Sequence, residues 1–185
     1  MNVVKKFRDY RSKKLEKLAR SFAKFGVKAN HLTLLSFLSG AAAIYFLFNN
    51  YYLFTLFTLL HLIFDGFDGV VARVTKSTIS GKYFDLLSDN TVTFLALLKT
   101  GFYLQDFYAY IAATLFLLAL IIHLKSKLQA PMIFIRTASV IVLIIATYPL
   151  FSFQKIILTA GYLIAGGVSL FSLSKQLQWY IQKKY

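Results

Sequence analysis

Six apolar runs dominate the chain, at about 31–48, 51–72, 82–100, 107–123, 131–149 and 153–174, and only short polar breaks separate them. As a helix, each run is long enough to cross the ~30 Å hydrocarbon core of a bilayer. The segment before them is patterned differently. Between residues 4 and 25, basic residues alternate with Phe7, Leu15, Leu18, Phe22 and Phe25, which recur at a helical period, and Gly26 stands where a C-cap belongs. Lys5, Lys6, Arg8, Lys13, Lys14 and Lys17 lie largely off that stripe. This predicts a helix in the membrane surface with its cations toward anionic headgroups; an amphipathic helix docked on the protein itself is the alternative. Pro131 suits the first turn of the fifth run, where a missing N–H is harmless, and Pro149 suits its end. The first run contains SGAAA, which resembles a signal-peptide cleavage site, but the basic region before it is too long for a usual signal sequence.

The predicted fold is all-α: an integral membrane bundle of six transmembrane helices over residues 30–185, preceded by a cytoplasmic amphipathic interfacial helix over residues 1–29. Composition agrees. Hydrophobic residues make up 58% of the 185, with 19 Phe and 12 Tyr, and the mean hydropathy is +0.62, more apolar surface than a water-soluble fold can hide. A net charge of +14 and a pI near 9.9 would otherwise suggest nucleic-acid binding. Placement points elsewhere, because of 21 cations all but Lys99, Arg136 and Lys155 fall in the amino-terminal segment, in the breaks after the second and fourth runs, or in the tail. That alternation places both termini in the cytoplasm. Trp179, Tyr180, Tyr185, Tyr51 and Tyr52 read as interfacial anchors. With no cysteine and three scattered His, any metal must be held by carboxylates, which suits hard ions such as Mg or Mn.

The candidate chemistry lies in one stretch, DGFDGVVARVTKSTISGKYFDLLSD, from Asp65 to Asp89, which carries four of the chain's aspartates between two apolar runs. Asp65 and Asp68 are three apart at the cytoplasmic end of the second run, and Asp85 and Asp89 are four apart at the start of the third, so each pair shares a helical face. A hairpin with these spacings aims all four carboxylates into one cleft. Unaided, they would repel one another, lose hydration and become protonated. Two divalent cations supply the compensating charge and leave open positions for a phosphate. Gly66, Gly69, Gly81 and Ala72 leave room for close approach, Arg73 is a fork matched to phosphate oxygens, and Ser77, Thr78 and Ser80 add hydroxyls. The competing account is polar packing between helices, with Asp paired to Lys or Arg. His61, one turn before Asp65, reads as an interhelical hydrogen bond rather than part of a site.

The stretch resembles the signature of the CDP-alcohol phosphatidyltransferases, D-x-x-D-G-x-x-A-R followed by G-x-x-x-D-x-x-x-D. Asp65, Asp68, Gly69, Ala72, Arg73, Gly81, Asp85 and Asp89 fill every fixed position, with the loop between Arg73 and Gly81 one residue shorter than usual. Asn30 and Thr33 weakly echo a second motif that opens the first span, with Ala29 in place of its proline. The resemblance implies a homodimeric membrane enzyme that uses two Mg2+ or Mn2+ ions. It would transfer a phosphatidyl-type group from a CDP-linked lipid, CDP-diacylglycerol or CDP-archaeol, to a small polar alcohol, releasing CMP at the cytoplasmic face. It implies metal binding by Asp65, Asp68 and Asp85, with Asp89 completing the site and acting as general base, and nucleotide contacts from Gly69, Ala72, Arg73 and Gly81, with Asn30 and Thr33. Arg136, Lys125 and Lys127 could form a cationic pocket, which favours a phosphorylated acceptor such as inositol phosphate or glycerol phosphate over serine or inositol; topology and snorkelling explain the same cations otherwise. Aspartate-rich intramembrane prenyltransferases of the UbiA type are larger and repeat their motif. A divalent-cation transporter would show paired halves or broken helices.

Overall fold

The computed structural model describes residues 3–75 and 78–184, with side chains described between Lys14 and Lys183 outside the 76–77 break. Lys5, Lys6, Phe7, Arg8 and Lys13 of the amphipathic segment, with Lys76, Ser77 and Tyr185, therefore lie outside the described side chains. The predicted all-α class holds. Among the described residues, seven helices follow in order: α1 Val3–Lys24, α2 Ala29–Phe46, α3 Tyr51–Thr75, α4 Ile79–Leu104, α5 Phe107–Lys125, α6 Arg136–Ala146 and α7 Gln154–Lys184.

Among the described residues, α2, α3, α5 and α7 are long and apolar enough to cross a membrane. Along them, large side chains such as Leu38, Leu59, Leu118 and Ile164 stay exposed, as lipid-facing positions must. α4 is long enough to cross, but Lys82, Asp85, Asp89 and Lys99 make it more polar than those four. α6 is too short, since its 11 residues rise only ~16 Å.

The fifth run departs from expectation. Pro131 does not open a helix; residues 131–135 are irregular and α6 starts at Arg136. Side chains take the backbone groups that a helix would have used. The hydroxyl of Ser126 accepts from the Ala130 N–H at 2.9 Å, His123 Nδ1 donates to the Ala130 carbonyl at 2.6 Å, and the Ile133 N–H donates to Ser172 Oγ at 3.2 Å.

The chain divides into two compact units, Met1–Ala43 with Leu56–Asp89, and Ile44–Thr55 with Asn90–Tyr185. In the first, α1 ends as expected: Gly26 adopts φ 77°, and the Val27 N–H reaches back to the Phe22 carbonyl at 3.0 Å. Leu15 and Ala19 of α1 pack with Phe67, Val70, Val71 and Val74 of α3, and the Phe22 and Phe67 rings meet edge to face at 6.2 Å. α1 thus packs on α3 through these residues, while Phe25, just past its end, is 84% exposed. α2 and α3 run antiparallel: as α2 advances from Thr33 to Ser36, its partners on α3 retreat from Asp68 to His61. His61 makes the interhelical contact expected of it, with Nδ1 2.9 Å from Ser36 Oγ, while the Ser36 hydroxyl lies 3.0 Å from the His61 carbonyl.

In the second unit α5 and α7 run parallel, because Asp106, Ala112, Ala119 and Gln129 meet Tyr162, Gly166, Gln176 and Lys183 in ascending order. α6 opposes α7, with Ile133 near Ser172 and Val142 near Gly161. Asp106 caps α5 by accepting from the Tyr108 N–H at 3.0 Å, and it also accepts from the Tyr162 hydroxyl. Lys99 closes the end of α2 by donating to the carbonyls of Ile44 at 2.7 Å and Tyr45 at 2.8 Å.

Candidate active site

α3 has two faces at its carboxyl end. Phe67, Val70, Val71 and Val74 are committed to α1 and the buried cluster around it, and this burial offsets the ~1 kcal/mol by which each of Gly66 and Gly69 weakens a helix interior. The opposite face carries Asp65, Asp68, Gly69 and Ala72. The chain then turns, and Thr78 starts α4 as its N-cap, its hydroxyl accepting from the Gly81 N–H at 3.1 Å. Thr78 and Ser80, read from the sequence as phosphate hydroxyls, lie 3.2 Å from each other and serve the helix start.

The hairpin brings carboxylate oxygens of Asp65, Asp68 and Asp85 within 4.8 Å of one another. Asp68 is buried, and the other two are half-buried. Oxygens so spaced can converge on a shared ion with ~2.1 Å bonds after sub-ångström side-chain adjustment, and an all-oxygen set suits Mg2+ or Mn2+. The donor set therefore fits hard divalent cations. Asp89, one turn beyond Asp85 on α4 and half-buried, is not a member of this group. Thr33 donates its hydroxyl to Asp68 Oδ2 at 2.7 Å, both residues being buried.

Beside the carboxylates lies a cleft of about 510 Å³ whose walls include Asn30, Thr33, Asp68, Gly69, Ala72, Gly81 and Asp85. Thr78 lines it too, so eight positions singled out in the sequence share one cavity. Gly81 is tightly confined: a Cβ there would lie 2.9 Å from Asn30 Oδ1 and 3.1 Å from Thr78 Oγ1. Arg73 is exposed and donates from Nε to the Gly69 carbonyl at 2.8 Å, which holds the guanidinium against the signature's own backbone. Arg136, Lys125 and Lys127 belong to the second unit, at the start of α6, the last turn of α5 and the connection after it. Lys28 and Lys82 also line the cleft, a role beyond the charge bias that their place in the sequence suggests. Their position next to Asn30 and Gly81 was the signal that could have found them.

A family model for the CDP-alcohol phosphatidyltransferases matches residues 27–170, most of the chain's 185 residues. The chain belongs to that family. No curated protein and no solved structure matches it. The protein is therefore an integral membrane enzyme with CDP-alcohol phosphatidyltransferase activity, acting on a CDP-alcohol and an alcohol acceptor, and its acidic cluster can bind metal.

Proposed function

We propose that the enzyme makes a phospholipid by transferring a phosphatidyl-type group from CDP-diacylglycerol or CDP-archaeol to a phosphorylated polyol, such as inositol phosphate or glycerol phosphate, with release of CMP. The observation that carries the reading is the group of three carboxylates on facing helices at the edge of a nucleotide-sized cleft. Asp65, Asp68 and Asp85 would hold two divalent ions, with Asp89 at the margin of the site. Mg2+ or Mn2+ held by these carboxylates would supply positive charge against the diphosphate and the departing CMP. The cleft wall of Gly69, Ala72 and Gly81 admits the nucleotide without side-chain obstruction, Arg73 lies beside it, and Asn30 approaches from α2. Asp89 accepts the proton of the acceptor hydroxyl as that oxygen attacks the lipid-side phosphorus and the bond to the CMP oxygen breaks. A carboxylate ligated by cations is a weak base, so a position outside the three-carboxylate group suits Asp89 to this task.

The same reading takes the chain across the membrane six times, with both termini and the site cytoplasmic, residues 1–29 as the interfacial segment and 30–185 as the catalytic domain. Parallel α5 and α7 support it, because the chain must return the length of a helix between them. About 16 Å of α6, with the irregular residues 131–135 before it, carry the chain back.

Gly81→Ala is expected to overpack the cleft against Asn30. The Asn30 amide, the mobile end of its side chain, must shift in the cleft, so the KM for the CDP-linked donor should rise by up to about tenfold, with a smaller change in kcat. An unaltered donor KM removes Gly81 from the binding wall. The acceptor assignment rests on Arg136, which opens α6 at the end where the helix dipole disfavours a cation, so helix stability does not account for it. Arg136→Ala is expected to lower kcat/KM for inositol phosphate and glycerol phosphate about tenfold or more, the weight of a charge-assisted hydrogen bond, while sparing turnover with serine or inositol. Equal losses on all four acceptors reject the phosphate pocket. CMP release from CDP-diacylglycerol across these acceptors, with Mg2+ or Mn2+ present, tests the whole proposal; turnover confined to serine or inositol overturns the acceptor class.

A further inference from the structure

Thr33 stands one turn into α2, where the resemblance assigns it to the nucleotide. Its side chain has other business. The hydroxyl lies 2.7 Å from Asp68 Oδ2 and 3.2 Å from the Ala29 carbonyl, one turn back on its own helix. A hydroxyl carries one proton, and both of these neighbours are acceptors. The shorter, charge-assisted contact takes it. The pair is almost sealed from solvent, with Thr33 at 3% and Asp68 at 4% exposure, so the carboxylate is held where water competes little.

We infer that Thr33 is a positioning residue for the metal centre: by holding Oδ2 it fixes the plane of the Asp68 carboxylate and aims the group at Asp65 and Asp85. A β-branched side chain has few χ1 rotamers in a helix, which limits where Oγ1 can point. The first turn of α2 thereby spans both arms of the aspartate hairpin, with Thr33 on Asp68 of α3 and Asn30 closed against Gly81 of α4. Hydrogen bonds that orient a ligating carboxylate are worth about 10–100-fold in metal affinity when removed. The inference rests on the proposed reading of Asp68 as a ligand, and it moves Thr33 from the nucleotide to the metal.

The test uses the full-length protein in detergent, with Mn2+ as the probe, read by the electron paramagnetic resonance of free Mn2+ and, separately, by CMP release. Thr33→Val keeps the shape and removes the hydroxyl. It is expected to weaken Mn2+ binding about 10–100-fold and to lower kcat, while the donor KM at saturating metal stays close to that of the unaltered protein. Thr33→Ser restores the hydroxyl and should recover most of the Mn2+ affinity, which separates orientation from general loss of folding. Thr33→Val with unaltered Mn2+ affinity and a raised donor KM overturns the inference and returns Thr33 to the nucleotide. Equal Mn2+ losses in the Ser and Val variants overturn it as well, since the hydroxyl would then be irrelevant. If the unaltered protein itself takes up no Mn2+, the metal reading fails at its root, a result distinct from either.

Discussion

Asp68→Asn is expected to reduce CMP release by roughly 10³-fold or more, the scale on which removal of preorganised electrostatic stabilisation is felt. The substitution keeps the size of the side chain and an oxygen that Thr33 can still reach at the 2.7 Å separation, so packing is largely spared. What disappears is one negative charge from a set whose oxygens lie within 4.8 Å of one another. Without metal, that loss would relieve repulsion and stabilise the fold. With metal, it removes a ligand. The variant should thus show an unchanged or raised melting temperature in EDTA together with lost turnover and weakened Mn2+ affinity. Turnover within about tenfold of the unaltered enzyme would mean that Asp68 is packing and not machinery.

Asp89→Asn should separate two roles that the sequence alone merges. Asp89 lies a turn beyond Asp85 on the same helix and is not in the three-carboxylate group. If it serves as the base, kcat falls about 10²–10⁴-fold, while Mn2+ affinity changes little. Metal affinity that falls as far as it does in Asp68→Asn would instead make Asp89 a ligand of equal standing. Retained turnover would remove its proposed role as base.

The aspartate hairpin was legible because it is written in local spacings. Three- and four-residue intervals put each pair of carboxylates on one helical face, and Gly, Ala and Arg occupy neighbouring positions on the same strip. The helical class followed from apolar runs too long for anything else, and the end of α1 from Gly26. Contacts between residues distant in the chain were less accessible. Nothing local to Pro131 announces that Ser172 and His123 will satisfy the backbone around it, so a helix was predicted where the chain is irregular. The hydrogen bond from Thr33 to Asp68 could not be read locally, because the two lie 35 residues apart. Lys99 looked like a charge on the outer face, and only the carbonyls of Ile44 and Tyr45 explain it. Lys28 and Lys82 were counted for orientation, yet they line the cleft. Local periodicity reports which face a residue occupies, and only the packed helices report what that face meets.

The measurement that bears most directly on the metal centre is the number of Mn2+ ions held per chain in the presence of CDP, for the unaltered protein and for a variant with Asp65, Asp68 and Asp85 all replaced by Asn. Two ions per chain in the first and none in the second are expected. Undiminished Mn2+ binding by the triple variant, or no binding by the unaltered protein, contradicts the claim that these carboxylates hold the metal that grips the nucleotide's diphosphate.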